Sequence, residues 1–121
     1  AWRMSYLEGS SFELDLKVPY EIILFPNFLH HFDKKTIEAF LKKVRAALAP
    51  GGKAATVEFV PNEDRVSPPV AAAFSLQMLA ATSDGDAYTA RELTSMFEHA
   101  GFSRVEVEPL TPMPSSLVIA T

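Results

Sequence analysis

Four consecutive apolar residues, Ile22-Ile23-Leu24-Phe25, run directly into Pro26-Asn27, and this feature constrains the chain more than any other. An unbroken apolar run of that length marks a strand buried on both faces of a parallel sheet, whereas a strand with one wet face alternates. Proline has no N–H to donate and asparagine favours turns, so the ladder ends there and the segment through Phe32 crosses the carboxyl edge of the sheet. Open α/β sheets bind their ligands at that edge.

The pattern that follows completes a crossover unit. Asp33 is placed to cap a helix, and Ile37, Phe40, Leu41, Val44 and Leu48 recur at three- and four-residue spacing. Ala49-Pro50-Gly51-Gly52 ends that helix, since proline cannot continue it and glycine can turn the chain back. Lys53 to Val60 then reads as a second strand, parallel and adjacent to the first. Pro61 to Pro69 is a polar, proline-rich loop leaving the same edge. Val70 to Ala81 forms a helix apolar nearly all round, with Ala73, Phe74, Gln77 and Met78 on one face and Leu76 and Leu79 on another, and it needs partners on both sides.

A loop with Asp-Gly-Asp covers Thr82 to Ala87, and Thr89 with Glu92 forms a capping box. Leu93, Met96, Phe97 and Ala100 line one face of the helix it opens, which Gly101 terminates. Val105 and Val107 alternate with Arg104, Glu106 and Glu108, as in a strand near a sheet edge, and Leu117 to Ala120 is a buried closing strand. At the amino end, Arg3 to Leu7 reads as a short strand ending at Gly9-Ser10-Ser11. A connector follows, in which Phe12, Leu14 and Leu16 alternate with Glu13, Asp15 and Lys17. The opening Ala-Trp-Arg, without an initiator Met, reads as cut from something longer.

Composition removes several classes of function. With 121 residues, 48% of them hydrophobic, the chain has material for one core, so it is one domain or part of one. It has no cysteine, which excludes disulfides, thiolate zinc sites and cysteine nucleophiles and fits a reducing compartment. A net charge of −4 with scattered Lys and Arg argues against a nucleic-acid partner. No apolar run approaches the ~20 residues of a bilayer span, and the amino end lacks a secretory pattern, so no membrane association and a cytoplasmic location are expected.

Three groups of residues could carry chemistry. Glu58 is a carboxylate in an apolar strand, a placement that costs several kcal/mol unless it is paired, or else its side chain reaches solvent at the strand end. The neighbouring strand end brings His30 and His31 close to it, and a carboxylate beside a histidine fixes the tautomer of a general base. The two histidines cannot both point inward, because in a turning segment adjacent side chains diverge by about a hundred degrees. Phe74, Gln77 and Met78 suit the wall of a substrate pocket, and equally plain core packing. With three histidines and no carboxylate cluster, no metal site is expected, and His99 suits the negative end of its helix.

Taken together, Tyr20-Glu-Ile-Ile-Leu-Phe-Pro-Asn-Phe-Leu-His-His-Phe32, Leu48-Ala-Pro-Gly-Gly-Lys53, a strand ending at Glu58, and His99-Ala-Gly-Phe102 before a final strand pair resemble class I S-adenosylmethionine-dependent methyltransferases. The nearest resemblance is to the O-methyltransferases of small aromatic or polyketide-like substrates, and it covers nearly the whole chain. It implies a Rossmann-like α/β sheet with flanking helices and an antiparallel closing strand pair, S-adenosylmethionine as cofactor, and a small hydroxyl compound as substrate. His30 matches the family's catalytic base in a Leu-His-Asp-Trp motif that reads Leu-His-His-Phe here, and Glu58 matches the acidic residue that orients it. Phe25, Pro26 and Asn27 fall where the family's backbone meets the cofactor. Ser10 takes the place of an adenine-binding Asp, followed by Ser11 and Phe12. His31, Phe74 and Met78 fall toward the substrate.

The family's glycine-rich loop, the acidic residue after its second strand and its amino-terminal dimerisation domain have no counterpart in these residues. Residues 1–121 are therefore expected to be the carboxy-terminal part of a methyltransferase catalytic domain, from a parent that is a homodimer. The rival expectation is a truncated, non-catalytic methyltransferase-fold module acting through association. An unrelated flavodoxin-like nucleotide module is a weaker third possibility, which an antiparallel closing pair would exclude.

Overall fold

The computed structural model describes residues 6–13, 15–16 and 19–121. Residues 3–5 of the expected first strand, with Leu14 and Lys17 of the connector, lie outside the described residues. Tyr6 and Leu7 are exposed and in no regular element.

Among the described residues four strands and three helices follow in the order β1 (Tyr20–Leu24), α1 (Lys34–Ala47), β2 (Leu48–Glu58), α2 (Pro69–Ala81), α3 (Ala90–His99), β3 (Val105–Pro109) and β4 (Ser116–Ala120), with a 3₁₀ turn at Leu29–His31. The sheet order is β1-β2-β4-β3. β1 and β2 run parallel, as the intervening helix requires, whereas β4 is antiparallel to both β2 and β3. This is the closing pair expected from the alternation around Val105, and it excludes a flavodoxin-like sheet.

Local chemistry sets the helix starts. The Asp33 carboxylate accepts from Thr36 N–H at 2.9 Å, and the Thr36 side chain followed by this backbone bond holds its carboxyl below the usual range. Thr89 and Glu92 form the full capping box at α3. Ile37, Phe40, Leu41 and Val44 of α1 and Leu93, Met96 and Phe97 of α3 are buried, and they pack with Ala54, Val118 and Ala120 of the sheet into one core. Gly101, at φ +107, closes α3 in the left-handed region.

The structure corrects three sequence expectations. β1 is an edge strand among the described residues, with Ile22 62% and Leu24 70% exposed, rather than one buried on both faces. The described chain lays its helices α1 and α3 on one side of the sheet, and burial of a strand's second face depends on a second layer. β2 starts at Leu48, not Lys53, and ends at Glu58, not Val60. It advances five residues (48 to 53) while β1 advances two (20 to 22), so the Pro50-Gly51-Gly52 stretch bulges out of register instead of standing before the strand. Gly51 turns at φ +76, and a Cβ on Gly52 would lie 2.9 Å from the Tyr20 carbonyl oxygen, so the close approach of β1 depends on glycine there. Finally, α2 buries only Ala71 and Met78 and leaves Val70, Leu76 and Leu79 exposed, so the partners that its all-round apolar surface calls for are not among the described residues.

Tyr88 joins α3 to the site segment by donating its hydroxyl to the Phe32 carbonyl. Burial, and then the charges of Asp86, Asp33 and Glu92, push its pKa up to about 12. An unfolded tyrosine ionises near pH ~10, so above that point the unfolded chain loses a proton that the folded chain keeps. Stability contributed by neutral Tyr88 is present in full below pH ~10 and disappears as the pH climbs through about 12. Urea midpoints measured across this window should fall less steeply for Tyr88→Phe than for the parent, and equal slopes would refute the assignment.

Candidate active site

Asn27, at φ +53, turns the chain off β1 while its N–H still donates to the Val57 carbonyl at 2.9 Å. Phe28 opens the 3₁₀ turn, and Leu29, fully buried, anchors that turn in the core. With Leu29 pointing down, its neighbour His30 is carried toward the end of β2, and His31 falls outward and is exposed.

His30 Nδ1 lies 2.6 Å from Glu58 Oε2, and both residues are buried, at 6% and 3% exposed. The other carboxylate oxygen, Oε1, accepts from Leu29 N–H at 2.9 Å. Thr56 donates its hydroxyl to the Phe25 carbonyl at 2.8 Å and sits 3.3 Å from Glu58 Oε1. These partners offset the cost of burying the carboxylate, and no buried side-chain nitrogen or oxygen among the described residues lacks a hydrogen bond. An ionised Glu58 can only accept, so the hydrogen-bond network assigns the proton to His30 Nδ1 and leaves a lone pair on Nε2. Nε2 has no hydrogen-bond partner among the described residues. A histidine held in this way can take a proton from a hydroxyl brought to Nε2.

Phe74 stands edge-on to the His30 ring, with centroids 4.8 Å apart, and Phe59 lies against Phe74 at 4.2 Å. The His31 ring is 4.4 Å from that of His30. Met78, one helical turn after Phe74, is buried on the same face of α2. Sequence reasoning missed Phe59, Thr56 and Gly85. Thr56, two residues before Glu58 on β2, and Phe59, directly after the strand ends, could have been found from the position of Glu58; Gly85 carries no signal beyond the Asp-Gly-Asp turn.

The expected cofactor residues form two neighbouring segments. Ser10, Ser11 and Phe12 lie exposed on a turn closed by Glu13 N–H donating to the Ser10 carbonyl at 3.0 Å. The Phe12 ring reaches Phe28 at 5.9 Å and Phe32 at 5.0 Å, which brings that turn against the segment leaving β1. Pro26 and Asn27 are exposed there. Phe25 differs: its ring packs on Phe40 in the core, its N–H donates to Ala55 and its carbonyl accepts from Thr56. Among the described residues no group of three or more His, Asp or Glu could hold a metal ion.

The sequence of residues 1–103 matches the O-methyltransferase domain. The chain belongs to the O-methyltransferase family. The chain is 30% identical over 118 residues to the S-adenosyl-L-methionine-dependent methyl transferase PigF of Serratia sp., covering 97% of this chain and 34% of PigF. The structure of PigF with SAH superposes at a TM-score of 0.83, over 94% of this chain and 34% of that one. Acetylserotonin O-methyltransferase of Gallus gallus is 33% identical over 105 residues, 87% of this chain and 30% of that enzyme. A Nostoc punctiforme structure provisionally assigned as an O-methyltransferase superposes at 0.91 with 49% identity, over 94% of this chain and 35% of that one. The chain thus spans about a third of the length of the relatives it matches. No helix among the described residues is long and apolar enough to cross a membrane.

Proposed function

We propose that residues 1–121 are the carboxy-terminal part of an S-adenosylmethionine-dependent O-methyltransferase that acts on a hydroxyl of a small aromatic or polyketide-like compound. The observation that carries the reading is the buried His30–Glu58 pair with an unengaged Nε2. Exposed Pro26 and Asn27 beside the Ser10-Ser11-Phe12 turn, joined through the Phe12–Phe28 contact, suit one face of a nucleoside and would hold the cofactor. Bound there, S-adenosylmethionine supplies a methyl group made electrophilic by its sulfonium.

His30 Nε2 would take the acceptor's hydroxyl proton, leaving that oxygen to receive the methyl group that bound S-adenosylmethionine would supply. A phenol with a pKa of ~10 is mostly neutral at pH 7, so this proton transfer improves the nucleophile. Glu58 keeps Nδ1 protonated and offsets the positive charge that the ring then carries. Phe74, with Phe59 behind it and Met78 below, and His31 at the rim, flank the acceptor and hold it in line.

Titration calorimetry with S-adenosylmethionine tests the reading. The full-length protein should bind, and residues 1–121 by themselves should bind weakly or not at all. Each charged hydrogen bond left unmade costs on the order of 1.5–3 kcal/mol, and the glycine-rich loop and acidic residue of the family lie outside these residues. Low-micromolar affinity for the 121 residues would overturn the assignment as a partial domain, and no methyl transfer by the full-length protein would favour a non-catalytic module.

A further inference from the structure

Arg65 stands out on backbone and side chain together. Its φ of +60 places a non-glycine residue in the left-handed region, which side chains other than glycine rarely adopt. Around it, Asp64 Oδ1 accepts from Val66 N–H at 2.9 Å and Ser67 N–H at 3.0 Å, Asn62 N–H donates to the Ser67 carbonyl at 2.7 Å, and Arg65 N–H donates to the Asn62 carbonyl at 2.9 Å. This tight turn aims the guanidinium back across the loop. Nη1 donates to Glu92 Oε1 at 2.6 Å, and Nη2 donates to Asp86 Oδ2 at 3.0 Å and to the Ala87 carbonyl at 3.2 Å.

Asp86 is the residue through which that grip reaches the site. Its N–H donates to the His30 carbonyl at 3.0 Å, while its Oδ1 accepts from Ser75 of α2 and from Ala87 N–H. One residue therefore joins three parts of the fold: the Asp86 carboxylate ties Arg65 to the helix that carries Phe74, and the Asp86 N–H ties both to the backbone of the proposed base. That helix buries only Ala71 and Met78, so apolar packing among the described residues does little to fix it. Lys34 joins the cluster through Glu92 at 2.6 Å. Burial opposes the charge on Glu92, but Lys34, the Thr89 N–H and Arg65 outweigh it and hold the carboxyl below its usual range.

We propose that Arg65 is a positioning residue for methyl transfer, acting through Asp86 to latch α2 and the His30 backbone together so that Phe74 stays against the His30 ring. This rests on the functional reading above for its consequence in catalysis, though not for its geometry. Exposed single ion pairs contribute little, but a guanidinium shared by two carboxylates and a carbonyl is a planar network that one cation of another shape cannot reproduce.

The test uses the full-length protein, with NMR of the His30 imidazole nitrogens and of the Phe74–His30 ring contact, beside steady-state kinetics. Arg65→Gln should shift the His30 ring signals, weaken the Phe74 contact and raise the KM for the acceptor about tenfold, with S-adenosylmethionine affinity unchanged. Arg65→Lys should restore part of each effect. Should Arg65→Gln fail to fold, about 1 M salt added to the unaltered protein shortens the screening length to ~3 Å and should produce the same ring shifts. Unaltered His30 signals and an intact Phe74 contact in Arg65→Gln, or in high salt, would overturn the proposal. If those signals move while His30→Ala leaves methyl transfer undiminished, the latch stands and the functional reading falls.

Discussion

Replacing His30 by alanine in the full-length protein is expected to slow methyl transfer by about 10²–10⁴-fold, the range that a positioned general base contributes. The effect should fall on turnover, with cofactor affinity unchanged, because Ser10, Ser11, Phe12, Pro26 and Asn27 are separate from the ring. Glu58→Gln should cost nearly as much by a different route. Its amide can still accept from Leu29 N–H, but the NH₂ group then faces His30 Nδ1, where the carboxylate now lies at 2.6 Å. Two donors cannot share that position, so the ring has to present its lone pair at Nδ1 and carry its hydrogen on Nε2, where the acceptor's proton should arrive. Radiolabelled methyl transfer at saturating substrate measures both variants, and a His30→Ala protein that keeps more than about a tenth of the parental rate would remove His30 from the role of base.

Gly85→Ala is expected to damage stability and activity together. A Cβ at Gly85 would overlap the His30 carbonyl oxygen and Thr82 Oγ1, and would come 3.3 Å from His31 Cα. None of these can step aside cheaply. The carbonyl accepts from Asp86 N–H, and the Thr82 hydroxyl is held between the Met78 carbonyl and Gly85 N–H, each at 2.8 Å. Overpacking of this kind costs about 1–3 kcal/mol, which for a chain of this size lowers the melting temperature by about 4–12 °C. If the loop yields by pushing His30, a displacement of about 1 Å would cost a further ~10²-fold in rate. Calorimetric melting and the transfer assay check the two parts, and an unchanged melting temperature with full activity would show that the loop has room for a methyl group.

Much of this protein is legible from local chemistry. Asp33, the Thr89–Glu92 box and the three-four spacing around Ile37 and Leu93 act within one or two turns of chain, so they state where helices begin and which face they bury. The convergence of His30 and Glu58 is legible too, because a strand-helix-strand crossover makes two parallel neighbours whose carboxyl ends share one edge.

Spacing by itself does not say which histidine faces the carboxylate; the family resemblance singles out His30, and the tertiary structure supplies the physical reason. Residues 30 and 31 are equivalent in pattern, and the choice falls to His30 because Leu29 must be buried in a core assembled from α1, α3 and the sheet. The apolar run at β1 misleads for the same reason: hydrophobicity records what a strand can bury, while the presence of a second layer over Ile22 and Leu24 is a property of the whole assembly. Arg65 with Asp86, and Gly85 against His30, meet across separations of 21 and 55 residues (86 − 65 and 85 − 30), where no periodicity reaches. The chain's own order determines its elements and the edge that carries the chemistry; packing alone decides which side chains touch there, because contact between distant residues depends on every element between them being in place.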